Sequence, residues 1–81
     1  MRDIELNKIL ANRIRFLRNQ YNLTIEKLAY QSGISKSGLS EIENYKKEPK
    51  TQTIAKLCAG IGITASEFYN FKEMEDYVNS L

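Results

Sequence analysis

Four positions constrain this chain more than any others: a small residue at Ala29, a glycine four residues later at Gly33, and apolar residues at Leu39 and Ile42. Two short helices joined by a tight turn need a small side chain where they cross, backbone freedom in the turn, and an apolar i, i+3 pair that fastens the outer helix. The spacing here meets all three needs. Thr24 is a good N-cap for the first of the two helices, whose Leu28 and Ala29 point inward and which ends at Gly33. Ser35 caps the second, which runs to about Asn44 and carries polar residues at its remaining positions.

The rest of the chain is read by periodicity. Leu6, Leu10, Ile14 and Leu17 predict an amphipathic helix over residues 5–20 with its arginines outward. The stretch 45–50, with three lysines and Pro49, has no period and reads as a loop. A fourth helix follows, capped by Thr51, carrying Ile54, Leu57, Cys58 and Ile61 and stopped by Gly62. Thr64 and Glu67 form a capping box for a fifth helix bearing Phe68, Phe71, Met74, Val78 and Leu81. The expectation is an all-α fold of five helices in a single domain, 1–81.

Composition narrows the function. With 81 residues, 42% of them apolar and 27% charged, the chain suits one small globular domain. The single cysteine, Cys58, and the absence of histidine leave nothing to build a metal site or a disulfide from, so no metal and no cofactor are expected. Without histidine or a recognisable nucleophile motif, catalysis is not expected either. No apolar run approaches the roughly 20 residues of a membrane span, and residues 1–12 lack the apolar core of a secretory signal. These features predict a cytoplasmic protein with no membrane partner. Charge is uneven: residues 1–58 hold eleven Lys/Arg against six Asp/Glu, and residues 59–81 hold one against four. A phosphate-facing surface belongs on the basic two thirds, which frees the acidic tail for another task.

Over Leu23 to Asn44, the run LTIEKLAYQSGISKSGLSEIEN resembles the helix-turn-helix of the phage repressor and Cro-like (XRE) family. The following KKEPKTQTIAKLCAGIGI looks like that family's loop and fourth helix, with Pro49, Thr53, Ile54, Leu57 and Gly62 on its pattern, so the likeness covers residues 10–68. It implies a lambda-repressor-like domain with a DNA-binding core over residues 5–68. The implied function is a sequence-specific double-stranded DNA-binding regulator, a repressor or a controller, whose outer helix enters the major groove of a palindromic operator. Carried over by position, Lys36, Ser37, Ser40 and Glu41 are the base-reading residues, and Thr24, Asn44, Lys46, Lys47 and Thr53 contact phosphate. Glu43 is expected to hold a structural interaction, with Arg15 or Arg18, and Cys58 to be a small buried residue.

Three positions depart from the family pattern. Ile25 replaces the usual glutamine, Tyr45 replaces a glycine, and Gly38 interrupts the outer helix. With Tyr45 there, either Asn44 takes the left-handed conformation or the loop follows another path. Phe68 is expected to fold back onto the domain. Phe71, Met74, Val78 and Leu81 form an apolar stripe on residues 69–81 that suits a homodimer, the arrangement the family commonly uses. No small-molecule ligand is expected. Regulation would come from concentration, dimerisation or a protein antagonist. The alternative is a protein-interaction module, such as the antitoxin of a toxin pair.

Overall fold

The computed structural model describes residues 3–81, so the first two residues of the predicted 1–81 domain lie outside the described residues. The described chain forms six helices: α1 (Ile4–Gln20), α2 (Ile25–Ser32), α3 (Lys36–Glu43), α4 (Thr51–Ile61), α5 (Ala65–Tyr69) and α6 (Lys72–Asn79). None of them is long and apolar enough to cross a membrane.

The first four helices end alike, and the endings set the turns. Asn22, Gly33, Tyr45 and Gly62 have φ of 56°, 69°, 65° and 90°, each a left-handed residue just past its helix. That conformation lets the next amide reach back to a carbonyl five residues earlier: Leu23 to Arg18, Ile34 to Ala29, Lys46 to Glu41 and Ile63 to Cys58. At the other ends, the side chains of Asp3, Thr24, Ser35 and Thr64 each accept an amide hydrogen bond from the first turn of the helix that follows. The predicted cap at Thr51 is corrected. Lys50 is the N-cap of α4, its carbonyl accepting from Ile54 at 3.0 Å, and its side chain has no acceptor with which to cap.

The core gathers one face of each of the first four helices. Leu10, Ala11, Ile14 and Leu17 of α1 meet Leu28 and Ala29 of α2, Leu39 and Ile42 of α3, and Ile54, Leu57 and Cys58 of α4, with Phe68 of α5 closing one end. The Cys58 thiol is buried, and burial raises its pKa, which keeps it protonated and unreactive.

Helices α2 and α4 cross closely at Ser32 and Gly60. A Cβ at Gly60 would stand 2.0 Å from the Ser32 hydroxyl and 3.0 Å from the Ser32 Cα, so only glycine fits at this crossing. The Ser32 Oγ beneath it is buried and has no hydrogen-bond partner among the described residues. An unmet buried hydroxyl costs about 1–3 kcal/mol. Ser32→Ala is therefore expected to raise stability by about 1 kcal/mol, read as a higher urea midpoint with unchanged slope. An unchanged or lower midpoint would show that the hydroxyl is satisfied in solution.

The single fifth helix predicted from Thr64 onward is corrected to two. In a continuous helix, the carbonyls of Glu67 and Phe68 would accept from the amides of Phe71 and Lys72. Arg13 donates to both instead, its Nη2 to Glu67 O and its Nε to Phe68 O, each at 2.8 Å, and the Asn70 amide closes a shorter turn on Glu67 O at 3.4 Å. The chain then breaks at Asn70 and Phe71, where Phe71 is extended (φ −152°, ψ 155°), and restarts as α6. The Arg13 guanidinium lies 4.6 Å over the Phe71 ring, so the same arginine that ends α5 also steadies the start of α6.

Candidate nucleic-acid interface

Helices α2 and α3 are held at a fixed angle by the turn at Gly33, where Ile34 N–H donates to Ala29 O at 3.0 Å and Gly33 N–H to Tyr30 O at 3.3 Å. Thr24 Oγ1 accepts from the Lys27 amide at 3.0 Å and Ser35 Oγ from the Gly38 amide at 3.0 Å, so both helices start at defined points. A Cβ at residue 38 would come within 2.8 Å of that capping Ser35 oxygen, which accounts for a glycine inside α3. Ile25, where the family has glutamine, is partly buried and packs against the core.

Three side chains fix α3 to the domain. Leu39 and Ile42 are buried, and Glu43 is 2% exposed. A carboxylate so deeply placed requires a partner, and Arg18 of α1 supplies a two-toothed one. Its Nε donates to Oε2 at 2.8 Å and its Nη2 to Oε1 at 2.9 Å, while Nη1 donates to Leu23 O at 3.0 Å. Hydrogen bonding to Glu43 raises the Arg18 pKa further, against the burial that lowers it. Arg15 joins from the side, its Nη2 donating to Glu43 O and its Nε lying 3.5 Å from Oε1. Both arginines named as possible partners from the sequence are thus used, and Arg18 makes the close bidentate pair.

With that face locked, α3 presents its other side to solvent. Lys36, Ser37 and Glu41 are exposed, and Ser40 is half-buried. Lys36 leans to the α2 flank, 3.5 Å from Glu26, a pair so exposed that it adds little stability. Asn44 is exposed, but its side-chain amide turns back on α3, donating to Ser40 O at 2.8 Å and Ser40 Oγ at 3.3 Å. Lys46 and Lys47 follow in the loop, exposed and without an ion pair among the described residues. Thr53 lies half-buried in the first turn of α4, and Thr24 stands exposed at the start of α2.

Neither alternative raised for Tyr45 holds as stated. Asn44 keeps φ −97°, and Tyr45 itself takes the left-handed conformation that a glycine would take without cost. A left-handed non-glycine residue costs about 1–2 kcal/mol. The ring offsets this by lying across α1, with Lys8 Nζ and Arg15 Cζ each 5.9 Å from its centroid and its hydroxyl donating to Asn12 Oδ1. The loop therefore keeps the tight reversal that its departure from glycine put in question. The ring contacts with Lys8 and Asn12 were missed from sequence because they link residues 33 or more positions apart.

The tail stripe is only partly free. Phe71 sits under Arg13, and Met74 packs against the core of its own chain. The Tyr77 hydroxyl donates to Asp3 Oδ2, tying α6 to the start of α1. Val78 and Leu81 remain on the surface, 53% and 85% exposed. Continuous-helix spacing placed all four on one face; the break takes Phe71 out of that register, while Met74 and Val78 keep it as an i, i+4 pair within α6.

A short outer helix riveted through its inner face and polar on its outer one, set by a tight turn across a capped partner, defines a helix-turn-helix domain. The family model for helix-turn-helix proteins matches residues 14–68, and the chain belongs to this family, in its phage repressor and Cro-like (XRE) form. The HTH-type transcriptional repressor RghR of Bacillus subtilis (strain 168) is 44% identical over 54 residues, covering 65% of this chain and 40% of that protein. The Control protein C.MunI of Mycoplasma sp is 33% identical over 76 residues, covering 93% of this chain and 100% of that protein. Among solved structures, the wild-type restriction-modification controller protein C.Esp1396I superposes with a TM-score of 0.80 at 19% identity, covering 90% of this chain and 91% of that one. That last likeness is one of fold.

Proposed function

We propose that this chain is a sequence-specific double-stranded DNA-binding transcriptional regulator, a repressor or controller, that inserts α3 into the major groove. The observation that carries the reading is the asymmetry of α3: Leu39, Ile42 and Glu43 lock one side, while Lys36, Ser37 and Glu41 stand exposed on the other. These are the side chains that discriminate bases. Lysine donates to guanine O6 and N7, glutamate accepts from cytosine N4, and serine does either, with Ser40 beside them.

Phosphate contacts fall to Thr24 at the start of α2, to Lys46 and Asn44 after α3, and to Thr53 in the first turn of α4, where helix N-termini favour anions. Residues 5–68 form the DNA-binding core, and residues 69–81 serve association. Val78 and Leu81, the members of the stripe that stay exposed, are the contact side chains of a two-fold homodimer. Such a pair sets its two α3 helices about 34 Å apart, one turn of DNA, and reads a palindrome.

The test is selection of bound sequences from random duplexes, with a salt titration from about 50 to 200 mM followed by fluorescence anisotropy. A palindrome is expected to be enriched. Lys46→Ala should weaken every duplex alike and lower the log–log salt slope by about 0.9, whereas Glu41→Ala should relax preference at one position of each half-site. Equal, sequence-blind effects from both substitutions would refute the division between reading and positioning, and enrichment of a single half-site would refute the dimer.

A further inference from the structure

Lys47 lies against α3 and not away from it. Its ammonium stands 3.9 Å from where a Cβ at Gly38 would be. The path that brings it there is the reversal at Tyr45: Tyr45 N–H donates to Ile42 O at 3.1 Å and Lys46 N–H to Glu41 O at 2.8 Å. This turns the chain back along the helix it has just left. The Lys47 ammonium therefore lies at van der Waals range of the helix surface at Gly38, whose lack of a side chain is required by the capping Ser35 oxygen 2.8 Å away. On a helix, residues 38 and 41 are i, i+3 neighbours, so this flank adjoins the exposed Glu41.

The two lysines nearest α3 have different circumstances. Lys36 is drawn toward α2 by Glu26 at 3.5 Å. Lys47 is exposed and has no ion pair among the described residues. It also rests beside the first turn of α3, where free amides carry partial positive charge and a cation is disfavoured unless an electron-rich acceptor arrives.

We propose that Lys47 is a sequence-reading residue that donates to the O6 and N7 acceptors of a guanine beside the first turns of α3, where the chain reversal at Tyr45 holds its ammonium next to Gly38. This replaces the phosphate role that the resemblance gives to Lys47, and it rests on the reading that α3 enters the major groove.

The experiment is sequence selection from random duplexes with the full chain, comparing the unaltered protein, Lys47→Ala and Glu41→Ala, followed by anisotropy on two duplexes. One duplex is the selected site, and the other has the guanine pair assigned to Lys47 replaced. Lys47→Ala is expected to lose preference for guanine at one position per half-site and to bind the selected site about tenfold more weakly, since a good base contact discriminates by about 1–3 kcal/mol. On the replaced site it should bind as well as the unaltered protein.

Equal weakening on both duplexes, with a salt slope lower by about 0.9, would overturn the proposal in favour of a phosphate clamp. A shift of preference with Glu41→Ala but none with Lys47→Ala would overturn it while leaving the α3 reading intact. No enriched sequence with any of the three proteins would overturn that reading and the proposal with it. Thermal melts of both variants should match the unaltered chain, because both side chains are exposed.

Discussion

Glu43→Ala is expected to cost this domain about 3–5 kcal/mol, the range measured when one partner of a buried ion pair is removed and the other is left behind. Domains of this size have a net stability of only about 0.05–0.15 kcal/mol per residue, so a loss on that scale takes much of what there is. The size follows from the geometry. Glu43 is 2% exposed, and both its carboxylate oxygens are occupied by Arg18 at 2.8 and 2.9 Å. Without the carboxylate, Arg18 keeps its bond to Leu23 O but retains two donors in a site that water reaches poorly.

Glu43→Gln should fall between, since an amide keeps one acceptor but turns its own donors toward the guanidinium. The check is urea denaturation followed by circular dichroism, completed as a double-mutant cycle with Arg18→Ala. If the pair acts as a unit, the double variant is less destabilised than the two single losses added together. A Glu43→Ala midpoint within about 0.5 kcal/mol of the unaltered chain would show that the pair holds no weight. At a temperature where the variant stays folded, its salt slope on DNA should be unchanged, because none of the cations that meet phosphate has been removed.

Much of this was legible in the sequence because it is local. N-caps at Thr24 and Ser35, the turn at Gly33 and the capping box at Thr64 and Glu67 are written within a few adjacent residues, and the structure has them at those positions. The inward residues of α1 to α4 follow from the helical period for the same reason. Features that escaped are those in which a distant side chain overrides a local preference. Nothing within residues 64–81 forbids one continuous helix there. It is Arg13, 54 and 55 residues away, that takes the carbonyls needed to continue it.

Tyr45 is a case of the same kind. Its left-handed backbone is unfavourable locally and is held by Asn12, Lys8 and Arg15 on another helix. The exposed face of α3 follows from the period. The place of Lys47 beside Gly38 depends on a loop whose path only the packing of Tyr45 decides.

Phe68→Ala is expected to cost as much as losing the Glu43 anchor, about 3–5 kcal/mol, and by a different route. Its ring is fully buried, and α5 has only five residues, too few to persist as a helix without tertiary support. Phe68 is therefore what docks the segment after Gly62. Beyond it, Arg13 hydrogen-bonds the carbonyls of residues 67 and 68 and stacks on Phe71, so α6 depends on α5 being seated first.

Hydrogen exchange should accordingly show residues 64–79 losing protection in Phe68→Ala before α1 to α4 do. Phe71→Ala, which removes a half-buried ring and leaves the Arg13 bonds to α5 in place, should cost clearly less and loosen α6 alone. Phe68→Leu, which fills part of the cavity, should recover part of the loss. If Phe68→Ala and Phe71→Ala proved equal in cost and in the span that opens, α5 and α6 would act as one unit. The core boundary would then fall at Gly62 and not after Phe68.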